Sequence, residues 1–262
     1  MGHRPARDVA IHSFDSPPCA RAATSTGSMS SADLSIGTFE AVASDGHTLS
    51  LRGHRHPEHK LPTILLLHGR SFSSAPVWEC PGLSTMEALA ELGVAAYSVD
   101  MRGFGRTPTS KESEPAPRNR LLRPSLAASD VADAVEWVRE RIGQDVPLGL
   151  LGWSYGALVV ALAAAGPATR ARVHAAITSL VLYGTVWDEV GDYCDDSGRF
   201  KAAVPRGPNS IAGAMDDFGI PDSLSPAQAL AFGEACVSAD PLMVTRRASP
   251  VPAAPCLNPR AF

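Results

Sequence analysis

The stretch PLGLLGWSYGALVVALAAA, residues 147–165, decides the fold. Its first five residues, Pro147 to Leu151, form a short apolar run of the kind a strand buried on both faces requires. Tyr155 to Ala165 is apolar and Ala/Leu-rich over eleven positions, long enough for a helix. Between them stands Gly152-Trp153-Ser154-Tyr155-Gly156, a G-x-S-x-G pattern. A strand turning sharply into a helix holds the central serine in a strained conformation with its hydroxyl presented outward, and the flanking glycines let two backbones approach. Ser154 is therefore the candidate nucleophile, against the plainer reading of a structural turn serine.

Working outward, the same alternation extends to both sides. Thr63 to Leu67 (TILLL) is apolar and bounded by Pro62 and His68-Gly69, which predicts a central strand. Thr85 to Leu92 reads as a helix closed by Gly93, and Val94 to Asp100 as a second buried strand ending in Met101-Arg102-Gly103. Val131, Val135, Val138 and Ile142 recur at helical spacing between a cap at Ser129 and a stop at Gly143. Ser179 to Tyr183 supplies the next strand. Ahead of the series, Gly37 to Ser44 and His47 to Gly53 flank Asp45-Gly46, a type I′ hairpin signal. The expected fold class is α/β, a mostly parallel sheet with helices on both faces and right-handed crossovers.

Two further groups of residues complete a candidate site. The His68-Gly69-Arg70-Ser71 segment follows the first central strand, where a serine hydrolase places a backbone N–H against a developing oxyanion. Arg70 is the first choice for that donor, Ser71 the second, and Tyr155, directly after the nucleophile, supplies the other. Asp100, in Asp100-Met101-Arg102-Gly103-Phe104-Gly105, precedes Ser154 and reads as structural turn chemistry.

With these pieces in place the chain resembles the α/β-hydrolase superfamily, in its cap-bearing serine hydrolase and esterase branch. The leading hairpin, Leu67-His68-Gly69, the Asp100-x-Arg102-Gly103-x-Gly105 turn and the elbow Gly152 to Gly156 stand in family order over residues 36 to 190. The resemblance implies a serine nucleophile, a backbone oxyanion hole, a mobile cap after the sixth strand, a small-molecule acyl substrate, and no metal or organic cofactor. Ser rather than Asp at position 154 separates the chain from the dehalogenase and epoxide hydrolase members.

The family order is Ser, then Asp or Glu, then His. After Ser154 the one histidine is His174, which lies between the nucleophile helix and the next strand and reads as a surface loop residue. Asp188 is the candidate acid, while Asp192, Asp195, Asp196, Asp216, Asp217 and Asp240 read as solvated charges. The chain is expected to stop before its final strands, acid and histidine, which leaves three readings open. These are an impaired serine hydrolase, a non-catalytic binding protein, and a truncated or frameshifted product.

Composition bounds the rest. The 262 residues are 45% hydrophobic and carry 23 Lys plus Arg against 27 Asp plus Glu, a net charge of −4, so a nucleic-acid partner has no electrostatic footprint. The longest apolar stretch, Ala157 to Ala165, is far below the roughly 18 to 20 residues of a membrane span, and no membrane partner is expected. Five widely separated cysteines, Cys19, Cys80, Cys194, Cys236 and Cys256, predict thiols in a reducing, cytoplasmic compartment. Residues 1–33 lack an apolar signal region and are expected to be a disordered leader, with Met29 as an alternative initiator. Residues 34–186 form the expected core and 187–247 a partial cap, including a helix from Pro226 to Val237 behind Ser225. Residues 248–262, with Pro250, Pro252, Pro255 and Pro259, are expected to be an irregular tail.

Overall fold

A computed structural model describes residues 35–54, 61–107, 124–184, 210–216 and 224–239. The expected leader 1–33 and tail 248–262, and much of the expected cap segment 187–247, including Asp188, lie outside the described residues.

Among the described residues six strands form one sheet: β1 (Ile36–Val42), β2 (Thr48–His54), β3 (Thr63–Leu67), β4 (Ala95–Val99), β5 (Leu148–Trp153) and β6 (Ser179–Tyr183), in the order β1-β2-β4-β3-β5-β6. The hairpin β1–β2 joins β4 antiparallel, and β4, β3, β5 and β6 run parallel. Parallel strands need crossovers, which here are the helices α1 (Ser74–Trp78), α2 (Thr85–Glu91), α3 (Pro124–Ile142), α4 (Tyr155–Ala165) and α5 (Arg170–Ala176). Two further helices follow, α6 (Ile211–Asp216) and α7 (Pro226–Ala239).

The apolar run of β3 is explained by helices on both faces. Leu65 and Leu67 join Val99, Leu148 and Leu150 under Val131, Val135 and Val138 of α3, Val159 and Val160 of α4, and Val173 of α5. Leu66, on the opposite face, packs with Ala96, Trp78 and Met86, the last two from the α1 and α2 side.

Several local expectations are revised. The hairpin turn is not type I′, which would require positive φ at two successive residues. Only Gly46 (φ 76°) has it there; Gly46 N–H donates to Ala43 C=O and Ala43 N–H to His47 C=O, both at 2.7 Å. This three-residue loop with a glycine bulge matches the strand twist with one left-handed residue instead of two. Ser129 does not cap α3, which begins at Pro124, where proline's missing N–H costs nothing. Its hydroxyl instead donates back to Ser125 C=O at 3.2 Å. Strand β5 runs two residues beyond Leu151 because Gly152 and Trp153 pair with Leu182 and Tyr183 of β6.

The cap of α7 matches its sequence signal, and α2 carries a serine cap as well. Ser84 Oγ accepts Glu87 N–H at 3.1 Å. Ser225 Oγ accepts Gln228 N–H at 3.3 Å while Gln228 Oε1 accepts Ser225 N–H at 3.0 Å, a reciprocal capping box. Strand β6, the last in the sheet order among the described residues, is exposed along its length, from 40% at Leu180 to 65% at Tyr183.

Candidate active site

Ser154 sits between β5 and α4 with φ 55° and ψ −120°, alone among the described non-glycine residues in having positive φ. For an L-residue such a backbone costs on the order of 1–3 kcal/mol and persists only where the surroundings enforce it. A Cβ added at Gly152 would collide with the Gly156 carbonyl, and one at Gly156 would lie 2.5 Å from His68 O and 2.7 Å from Leu67 O. The first turn of α4 therefore rests directly on the end of β3, an approach only glycine permits. The Ser154 N–H is held by Tyr183 C=O at 2.9 Å.

The loop leaving β3 runs against the serine. A Cβ on Gly69 would lie 3.2 Å from the Trp153 ring and 3.3 Å from Ser154 Cβ. Buried His68 fastens this loop to the turn after β4, since Met101 N–H donates to its Nε2 at 3.0 Å. A backbone donor at Nε2 leaves the proton on Nδ1, which donates to Gly69 C=O at 2.7 Å. His68 is thus a neutral strut rather than a base. Arg70 and Ser71 follow, half-buried, and Tyr155 N–H lies at the positive end of α4.

Asp100 behaves as turn chemistry. Its Oδ1 accepts Ser74 N–H at 2.8 Å and its Oδ2 accepts Arg106 N–H at 3.1 Å, and Gly105 (φ 49°) lies so close that a Cβ there would strike the carboxylate. Arg102, two residues on, grips Asp130 of α3 with two nitrogens, at 2.7 and 2.5 Å, and reaches Asp45 at 2.7 Å. Burial pushes the Asp130 carboxyl up to about 6 in spite of that grip, whereas the hydrogen bond from Arg102 brings exposed Asp45 down to about 2. This triad ties the β4 turn to the hairpin and α3.

His174 is exposed, as expected, but lies in the last turn of α5 rather than in a loop. Helix α5 leads into Ser179, which pairs with Gly149 near the start of β5, while Ser154 follows the far end of that strand. At about 3.3 Å per residue, His174 and Ser154 stand at opposite ends of the sheet. Among the described residues no group of three or more His, Cys, Asp and Glu side chains is placed to hold a metal ion.

One part of the surroundings has no local sequence signal. Phe72, one residue beyond Ser71, packs edge-on against Phe232 of α7, with ring centroids 5.3 Å apart at 81°. Cys80, Ala214 and Cys236 complete this buried cluster, and Trp153, Val77 and Leu83 pack against it. Helices α6 and α7 are thereby seated on α1 beside the serine loop.

The family described as alpha/beta hydrolase fold matches residues 62–217, more than half of the chain. The chain is 38% identical over 111 residues to the rat (Rattus norvegicus) putative protein-lysine deacylase ABHD14B, covering 41% of this chain and 48% of that protein. It is 40% identical over 73 residues to human (Homo sapiens) protein ABHD14A, covering 28% and 26%. The chain thus matches about half or less of the length of these relatives. Among solved structures it is similar to the thioesterase domain from the curacin biosynthetic pathway, with 19% identity, TM-score 0.47, and coverage of 77% of this chain and 66% of that one. With a left-handed serine between strand and helix, glycines on either side and a matching family profile from Pro62 onward, the chain belongs to the α/β-hydrolase fold family.

Proposed function

We propose that the protein is a serine hydrolase acting on carboxylic esters or related acyl substrates through an acyl-enzyme on Ser154. The observation that carries this reading is the left-handed backbone of Ser154, held between β5 and α4 against the Gly69 loop. In the reaction the Ser154 oxygen bonds to the acyl carbon and its proton passes to a base. The carbon–oxygen bond to the leaving alcohol breaks as the alcohol takes up a proton, and water later releases the acid. The oxyanion donors in this reading are the N–H groups of Arg70, or of Ser71, and Tyr155. An acyl-lysine amide, the substrate class in the name of the rat relative, falls within the related acyl substrates. Cysteine usage supports a reducing, cytoplasmic setting.

His174 stands at the opposite end of the sheet from Ser154, and Asp188 is the candidate acid in this reading. Removal of a triad member leaves roughly 10³–10⁴-fold residual catalysis from the oxyanion hole and binding. A second reading, a non-catalytic binding protein, is favoured by the placement of His174. Fluorophosphonate labelling and p-nitrophenyl acetate hydrolysis distinguish the two. Slow labelling that is lost in Ser154→Ala and accelerated by added imidazole supports the hydrolase. Labelling that Ser154→Ala leaves intact removes Ser154 as nucleophile.

A further inference from the structure

Phe232 lies far from Ser154 in sequence, and its ring closes over the residue that follows the two candidate oxyanion donors. The loop from His68 to Ser73 is fastened at its start by the sheet: Met101 N–H holds the His68 ring, and Gly69 lies against Trp153 and Ser154. At its far end Ser74 N–H is held by Asp100, and Phe72, 3% exposed, inserts between the α1 side and the α6–α7 pair. Arg70 and Ser71 lie half-buried between these two fastenings. The first fastening is built from the turn after β4 and from β5, and the second is shared between Asp100 and the packing of Phe72 on α7.

The α7 fastening is geometrically well defined. Gly233, next to Phe232, lies so close to α6 that a Cβ there would sit 3.0 Å from both Ile211 Cγ2 and Ile211 O. Close packing of α6 on α7 leaves Phe232 little freedom to shift along or about the helix axis. Its ring meets Phe72 at 5.3 Å, edge to face, with Cys236 and Ala214 filling the same cluster. Oxyanion donors act only when set about 2.7–3.1 Å from the developing charge. An error of roughly 1 Å in such a group costs about 10²-fold in rate.

We propose that Phe232 is a positioning residue: by holding Phe72, helix α7 sets the Arg70–Ser71 backbone against Ser154. This rests on the reading of Ser154 as nucleophile. Helix α7 then acts on the chemistry through the loop, and Phe232 itself touches no reacting atom.

The test uses the full chain and its variants Phe232→Ala, Phe232→Leu and Ser154→Ala, with two readouts. Hydrogen exchange of residues 68–73 reports the loop whether or not Ser154 reacts. Saturation kinetics of fluorophosphonate labelling, with imidazole present throughout, separate the limiting rate from probe affinity. Phe232→Ala is expected to speed exchange at Arg70 to Phe72 while the β3, β4 and β5 amides stay protected. The limiting labelling rate should fall about 10- to 100-fold at little-changed affinity, and Phe232→Leu, which refills the apolar volume, should recover most of it. Unchanged exchange in a folded Phe232→Ala variant overturns the proposal. So does an effect confined to probe affinity, which would make Phe232 part of the substrate wall. If Ser154→Ala labels as fast as the parent, the nucleophile reading fails, while exchange still decides whether α7 holds the loop.

Discussion

The backbone N–H of Ser154 donates to the carbonyl of Tyr183 at 2.9 Å, so the serine that breaks the β5 ladder is still paired to β6. That bond continues the register Gly152–Leu182 and Trp153–Tyr183 by one step into the turn. The strained residue is consequently fixed from two directions, by β6 through its own N–H and by β3 through the contact of Gly156.

Gly156→Ala is the sharpest test of the second contact. The new methyl would meet His68 and Leu67 carbonyl oxygens at 2.5 and 2.7 Å, and both belong to backbone that cannot swing aside. A loss of about 1–3 kcal/mol in urea unfolding is expected for overpacking of this kind. Fluorophosphonate labelling of Ser154 should fall with it.

Asp100→Asn removes the charge from an acceptor of two backbone N–H groups, those of Ser74 and Arg106. Hydrogen bonds to charged groups contribute about 1.5–3 kcal/mol each, and Asn keeps one acceptor, its amide oxygen, while its NH2 group can only donate and cannot receive the second N–H. Destabilisation of about 2 kcal/mol by chemical denaturation is the expected outcome. A variant within a few tenths of the parent would show that these bonds contribute little.

Acid should weaken the fold through His54. Its buried ring accepts Ala96 N–H at Nδ1 over 2.8 Å, and burial lowers its pKa from the ordinary 6.5. Unfolded chains therefore bind a proton that the folded chain refuses. The stabilisation is complete above 6.5 and declines as pH falls through that value toward the lower folded one. Asp130, raised to about 6, works with the opposite sign, its folded carboxylate losing stability as pH rises from 3.8 to about 6. His54→Asn keeps an acceptor for Ala96 N–H but does not titrate. Unfolding curves between about pH 7.5 and 5.5 should therefore fall more steeply for the parent than for the variant.

Strand β6 should drive association. Leu180, Val181 and Leu182 are 40–43% exposed on a strand without charge, proline or bulge to discourage pairing. Light scattering after size exclusion should show concentration-dependent oligomers, reduced in Val181→Lys. A stable monomer at every concentration would contradict this.

Much of this architecture is legible in the chain because its signals are local. TILLL is apolar because both faces of β3 are covered, and Gly152 and Gly156 are glycines because their neighbours leave no room for a Cβ. The start of α3 was hidden because Ser129 satisfies the rule for a cap while using its hydroxyl within the helix. Helix α1, five residues long, is below the length at which periodicity can be read. The contact of Phe72 with Phe232 has no local signature, since only packing of α7 on α1 brings the rings together. In the site, Ser154 follows from its motif, whereas the strut role of His68 needs the position of Met101 N–H, which the turn after β4 supplies.

The bond from Ser154 to Tyr183 also sets an order of events during synthesis. The serine leaves the ribosome before the strand that holds it, so an emerging chain carries the G-x-S-x-G motif while its backbone is free to relax toward ordinary negative φ. The set of contacts that holds left-handed geometry at Ser154 is complete only after residues 179–183 have emerged and joined β5. The fully held left-handed turn is therefore a late property of the assembled sheet, and a nascent fragment ending before Tyr183 would contain the motif without the β6 partner of its serine.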